Sequence, residues 1–125
     1  MTTAIKETML TPSVRVLKHE HRIIISGQSR LEDPAPFYEE LTVVLNDSLH
    51  DFKTHVSIDF ILSYMNSSSS KWLFHILKDL QSKFQGKKLF TINWFYESDD
   101  DSILEAGEVF QSLLTIPFNI VETGR

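Results

Sequence analysis

The spacing of apolar residues changes along the chain, and each change predicts an element. Residues 13–18 and 22–27 are short β-prone runs, the second carrying Ile23, Ile24 and Ile25. The intervening His19-Glu20-His21 is short enough to join them as a hairpin. Asp33-Pro34-Ala35-Pro36 is a helix start, since Asp33 can accept from free N–H groups and proline is tolerated in a first turn. Phe37, Leu41, Val44, Leu45, Leu49 and Phe52 then recur at helical spacing and predict a buried stripe. From Val56 the period becomes two: Val56, Ile58, Phe60, Leu62 and Tyr64 point one way, Ser57, Asp59, Ile61 and Ser63 the other. That is a strand with one packed face and one more polar face.

After Asn66 and four serines, Trp72, Leu73, Ile76, Leu77, Leu80 and Phe84 form a second helical stripe, with Gly86 as its stop. Residues 89–96 predict another strand. The acidic stretch 97–101 leads into a helix with Ile103, Leu104, Phe110, Leu113 and Leu114 inward, which Pro117 ends before a last strand at 118–121. The predicted order is β-β-α-β-α-β-α-β. Helical crossovers favour parallel, right-handed connections. The class is therefore α/β, a mixed sheet of about five strands with an N-terminal antiparallel hairpin and three helices mainly on one face. Residues 1–12 are expected to be a flexible arm, 13–122 a single domain, and Thr123-Gly124-Arg125 a frayed end.

Composition narrows the chemistry. A chain of 125 residues suits one domain that needs no metal or disulfide staple, and having no cysteine it has no thiolate chemistry. Seventeen acidic against twelve basic residues leave a net charge of −5, which argues against nucleic acid as a partner. No apolar run approaches the about 18 residues a membrane helix needs, and Lys6 and Glu7 interrupt the N-terminal stretch where a signal peptide would be apolar. The expectation is a cytoplasmic domain without membrane insertion.

Tyr64-Met65-Asn66-Ser67-Ser68-Ser69-Ser70-Lys71 lies where a central strand gives way to a helix, the place at which α/β sheets hold their sites. One reading makes a serine the helix cap and the others a solvated turn. A second makes the hydroxyl cluster a phosphorylation switch, because a phosphoserine adds about −1.5 to −2 charge beside a helix start. A hydrolase nucleophile would want the G-x-S-x-G glycines and a phosphate-cradling loop would want glycines of its own, and neither set is present. The reading is not an enzyme.

Other candidates carry less. His19 and His21 would share a face if both lay in a strand, but two ligands fall short of a zinc site, and His75 has no H-E-x-x-H companion. Those three, with His50 and His55, read as ordinary surface or boundary residues. Glu97, Asp99, Asp100, Asp101, Glu105 and Glu108 lack the central glycine of a calcium loop and read as a helix cap or, second, a partner-facing patch. No metal or other cofactor is expected. Gly107 costs its helix about 1 kcal/mol relative to alanine, which points to close packing or contact at that turn.

Three stretches together carry a likeness. YMNSSSSKWL at 64–73, NWFYESDDD at 93–101 and LEAGE at 104–108 resemble the SiaC family of bacterial regulatory phosphoproteins, whose architecture is similar to STAS anti-sigma-factor antagonists. The likeness runs from Ile23 to about Ile120. It implies a non-enzymatic switch, phosphorylated by a GHKL-type kinase and dephosphorylated by a PPM-type phosphatase. It also implies that the unphosphorylated form engages an effector such as a diguanylate cyclase, in cyclic di-GMP signalling. The family acceptor is a threonine directly after an asparagine, followed by serines and a lysine. Asn66 and Lys71 match, which puts Ser67 at the acceptor position with serine in place of threonine, and Ser68 next in order. Partner binding is then expected at Asn66, Ser67, Ser68, Ser69 and Lys71. The alternative is a STAS-like domain that binds an anti-sigma partner or small ligand without phosphorylation.

Overall fold

The structure is a computed structural model that describes residues 2–84 and 90–123. The stop expected at Gly86, the strand start at Leu89 and the frayed end at Gly124 and Arg125 lie outside these residues. Among the described residues six strands and three α-helices occur in the order β1 (Thr2–Ile5), β2 (Ser13–Leu17), β3 (Arg22–Ser29), α1 (Ala35–Asp51), β4 (Val56–Met65), α2 (Ser67–Phe84), β5 (Phe90–Tyr96), α3 (Asp101–Leu113) and β6 (Phe118–Glu122).

The strands lie side by side in chain order. β1, β2 and β3 are antiparallel neighbours, and β3 through β6 are parallel. Each of the three parallel crossovers steps the same way across the sheet. Right-handed connections therefore place all three helices on one face. Leu41, Leu45 and Leu49 of α1, Leu73, Leu77 and Leu80 of α2, and Ile103 and Phe110 of α3 accordingly share one core with Ile23, Ile25, Ile58, Phe60, Ile92 and Trp94.

The opposite face is polar and internally satisfied. Asp59 is 2% exposed, yet its carboxylate accepts from Arg22 Nε at 2.9 Å and Nη2 at 2.6 Å, from Ser57 Oγ at 3.1 Å and from Asn93 Nδ2 at 2.9 Å. Asn119 donates to Asn93 Oδ1 at 3.1 Å and continues the row into β6. A buried charge is tolerable only when it is paired and hydrogen-bonded, and here four donors meet one carboxylate.

The structure corrects several expectations. The arm expected at 1–12 is partly a strand: Thr2–Ile5 pairs with β2, and Ile5 enters the core. Four residues are too few to display a period, so only the pairing reveals this sixth strand. His19 lies in a single 3-10 turn, Lys18–Glu20, and His21 caps it with φ of 54°, so the two histidines do not share a strand face. Tyr64 does not continue the inward row of β4. The register places Leu62 opposite Gly27 and Tyr64 opposite Gln28, leaving Ser63 as an extra residue. Such a bulge inverts the facing of the residues beyond it, and Tyr64 is 40% exposed. Leu113, expected inward, is likewise exposed on the last turn of α3.

Candidate functional site

The parallel strands β3 and β4 end at one edge of the sheet, and Asn66 is the knot that ties them to α2. Its backbone N–H donates to Ser29 O at 3.1 Å and its side-chain amide donates to Leu31 O at 3.0 Å, both on the β3 side. Its Oδ1 accepts from Ser69 N at 2.9 Å and its carbonyl from Ser70 N at 3.0 Å, which starts the helix. The cap is therefore Asn66 and not a serine. Asparagine caps as well as serine does, and its amide also reaches the Leu31 carbonyl, two residues beyond β3, which a serine hydroxyl would leave unpaired.

With the cap at Asn66, the four serines divide. Ser67 and Ser68, at the first two helical positions, are exposed, and among the described residues neither hydroxyl makes a hydrogen bond. Ser69 is fully buried, 0% exposed. It accepts from Ser29 Oγ at 2.6 Å and donates to Ser29 O at 3.4 Å, while Ser29 Oγ and Tyr38 Oη lie 2.8 Å apart. Ser69 is therefore no part of the exposed surface expected for partner binding. The third helical position turns inward over α1, and its hydroxyl is consumed in pinning α2 to β3. Asn66 is half-buried, and Lys71 is exposed one turn beyond Ser67.

Beside these serines Pro34, Ser68, Lys71, Trp72 and His75 line an open groove of about 440 Å³. Its floor is apolar: the Trp72 ring lies nearly parallel to Tyr38, 16° between planes at 6.4 Å between centroids. Lys71 and His75 are exposed on α2 at its rim. Sequence reasoning alone does not bring Pro34, Trp72, His75, Ser29 or Tyr38 to the site. Spacing puts Trp72 in the core stripe, although its adjacency to Lys71 is a sign of a residue on the boundary.

Tyr38 carries the one clear titration effect here. Burial pushes the Tyr38 phenol above its ordinary value, and the neighbouring Ser29 and Ser69 hydroxyls only partly offset this. A phenol harder to ionise in the folded chain binds its proton where the unfolded chain has released it, so stability falls as pH rises past about 10. Urea denaturation across pH 9–11 should show a shallower decline in Tyr38→Phe than in wild type; equal slopes would mean that Tyr38 ionises freely in the folded protein.

The arrangement offers a helix N-terminus and a lysine to an anion, and an apolar groove to a partner. Among the described residues no histidine or carboxylate is hydrogen-bonded to the Ser67 or Ser68 hydroxyl. The acidic run at 97–101 serves as a cap: Asp100 Oδ1 accepts from Ile103 N at 3.1 Å at the start of α3.

Solved structures share this fold over nearly the whole chain. SiaC of Pseudomonas aeruginosa superposes with a TM-score of 0.82 at 25% identity, covering 98% of this chain and 100% of that one. A crystal structure of the diguanylate cyclase SiaD in complex with its activator SiaC, from the same organism, includes a chain matched with a TM-score of 0.80 at 25% identity, over 94% of this chain and 96% of that one. An uncharacterised protein of Pseudomonas aeruginosa is 26% identical over 113 residues, 90% of each chain. The model of the SiaC family regulatory phosphoproteins matches residues 5–123, from the last residue of β1 to the residue after β6, and the chain belongs to that family.

Proposed function

We propose that this chain is a non-enzymatic protein-interaction switch controlled by reversible phosphorylation of Ser67. A GHKL-type kinase would add the phosphate in the cytoplasm and a PPM-type phosphatase would remove it. The unphosphorylated form would engage a downstream effector, a diguanylate cyclase being favoured because SiaC of Pseudomonas aeruginosa activates one. The observation that carries the reading is the state of Ser67: an exposed hydroxyl, unbonded among the described residues, at the first position of a helix whose cap is already supplied by Asn66. Such a hydroxyl is open to a kinase, and modifying it breaks no hydrogen bond of the fold.

A phosphate there adds about −1.5 to −2 charge next to Asn66, Ser68 and Lys71 without refolding anything. An effector surface complementary to the bare junction then meets like charge or a displaced hydrogen bond, which is enough for release. Ser68, which lines the groove, is the second candidate acceptor.

The test is binding to the effector by calorimetry with Ser67→Asp and Ser67→Ala, alongside mass spectrometry of protein from its native cells. Ser67→Asp should weaken binding by about tenfold or more, equivalent to about 1.4 kcal/mol, while Ser67→Ala binds as wild type does. Wild-type affinity in both variants, with no phosphate on the native protein, would leave a binding domain that works without phosphorylation.

A further inference from the structure

The groove beside the serines holds a cation that the fold leaves unused. Among the described residues that line it, Pro34, Ser68, Lys71, Trp72 and His75, none is acidic. On α2 the positions three and four residues from Lys71 are Ser67, Ser68, Phe74 and His75, so no helical neighbour can pair with it. Lys83 on the same helix is the contrast, bonding Asp79 at 3.1 Å. Asp33, beside Pro34 in the sequence, accepts from Ala35 N at 3.4 Å at the start of α1. Among the described residues no carboxylate lies within ion-pair distance of Lys71. Trp72 is half-buried against Tyr38, and Pro34, buried ahead of α1, adds a second apolar wall. An indole braced by another ring is a platform for stacking, and about 440 Å³ is within the roughly 300–1,000 Å³ of ligand clefts. On a chain of net charge −5, an unpaired lysine above an apolar floor is a local exception that favours an acidic partner.

We infer that the groove receives an acidic, apolar segment of the effector, with an aromatic or aliphatic side chain on Trp72 and a neighbouring carboxylate paired to Lys71. The inference rests on the junction being the surface that the effector engages. It gives the phosphate a definite competitor. Ser67 and Lys71 stand at i and i+4 on α2, so a phosphate on Ser67 takes the cation that the partner's carboxylate needs. Ser68, three residues before Lys71 and itself on the groove, would do the same and also narrow the opening. Release of the partner is then the exchange of one anion for another at Lys71, over a floor that does not move. The apolar contact with Trp72 is common to both states, so charge alone decides between them.

The experiment titrates the unmodified full chain with phenylpropionate, phenylpropanol and phenylpropylamine, probes of one shape and different charge, and follows the Trp72 indole N–H by NMR. The propionate should bind about threefold more tightly than the alcohol, with the amine weakest. Lys71→Gln should erase the difference between propionate and alcohol while the alcohol still binds, and Lys71→Arg should keep it. In calorimetry with the effector, Lys71→Gln should weaken binding about fivefold or more. Equal affinity for propionate and alcohol, a tighter amine, shifts that bypass Trp72, or wild-type affinity of Lys71→Gln for the effector would each overturn the inference. None of these readouts requires a phosphate, so a Ser67 that is never modified leaves them standing. A groove that fails them leaves the Ser67→Asp comparison intact.

Discussion

Gly107→Ala is expected to destabilise the protein by about 2 kcal/mol, the opposite of what removing a mid-helix glycine does elsewhere. In an ordinary helix the change gains about 1 kcal/mol, because glycine loses more backbone freedom on folding. Here a Cβ at position 107 would lie 2.7 Å from Trp94 Nε1 and closer still to Cδ1, well inside contact distance. Trp94 has nowhere to retreat. It is 0% exposed, edge-on to Phe110, tilted against Phe60 and stacked near Phe118. Its Nε1 donates to Ile103 O at 2.8 Å, one helical turn before Gly107, so any shift also strips a buried hydrogen bond. Overpacking of this kind costs about 1–3 kcal/mol and a lost buried hydrogen bond about 1–3 more, which together outweigh the gain in propensity. Urea unfolding followed by tryptophan fluorescence measures the difference. A variant as stable as wild type would mean that Trp94 repacks, and that the glycine in LEAGE serves contact with another molecule.

How far these features are visible in the amino-acid sequence depends on the range over which each is decided. The helical stripes and the two-residue period of β4 are local, and they lead to the α/β order with parallel crossovers. Gly107 is legible as a place of close packing because a glycine inside a helical pattern is locally costly, though its partner Trp94 is not. Ile5 reaches the core through strand pairing with Val14, which no window of the N-terminal stretch records. Tyr64 faces outward because of an insertion relative to β3, and a bulge is a property of two strands, invisible in either alone. Asp59 looks like any polar residue on an open strand face. Its partners Arg22 and Asn93, with Asn119 beyond them, come from three other strands, so its burial follows from topology. The junction is placed by the switch of period between Tyr64 and Trp72. Within it, four identical serines give no pattern by which to tell an exposed hydroxyl from a buried one. That distinction comes from Asn66, whose capping sets the phase of the first turn.

The same phase yields the sharpest contrast between neighbouring positions. Ser69→Asp is expected to cost about 3 kcal/mol or more, while Ser67→Asp is neutral or stabilising by up to about 1 kcal/mol. An acidic side chain in a first turn normally complements the helix dipole, and at Ser67 it does so in water. At Ser69 the carboxylate would enter a site with 0% exposure, bounded by the Ser29 hydroxyl and carbonyl and by Tyr38. Burying a charge there costs several kcal/mol, and the Ser29 carbonyl would repel it where it now accepts from the serine hydroxyl. Thermal unfolding of the two variants beside wild type decides the matter. Equal stability of Ser67→Asp and Ser69→Asp would mean that the first turn of α2 opens freely, and any of the four serines would then be available to a kinase. The expected split removes Ser69 from the candidate acceptors, because phosphate on it would require α2 to unwind from β3 first. It also sets the control for effector binding: affinity lost in Ser69→Asp reflects a damaged junction, whereas affinity lost in a fully stable Ser67→Asp reflects the charge itself.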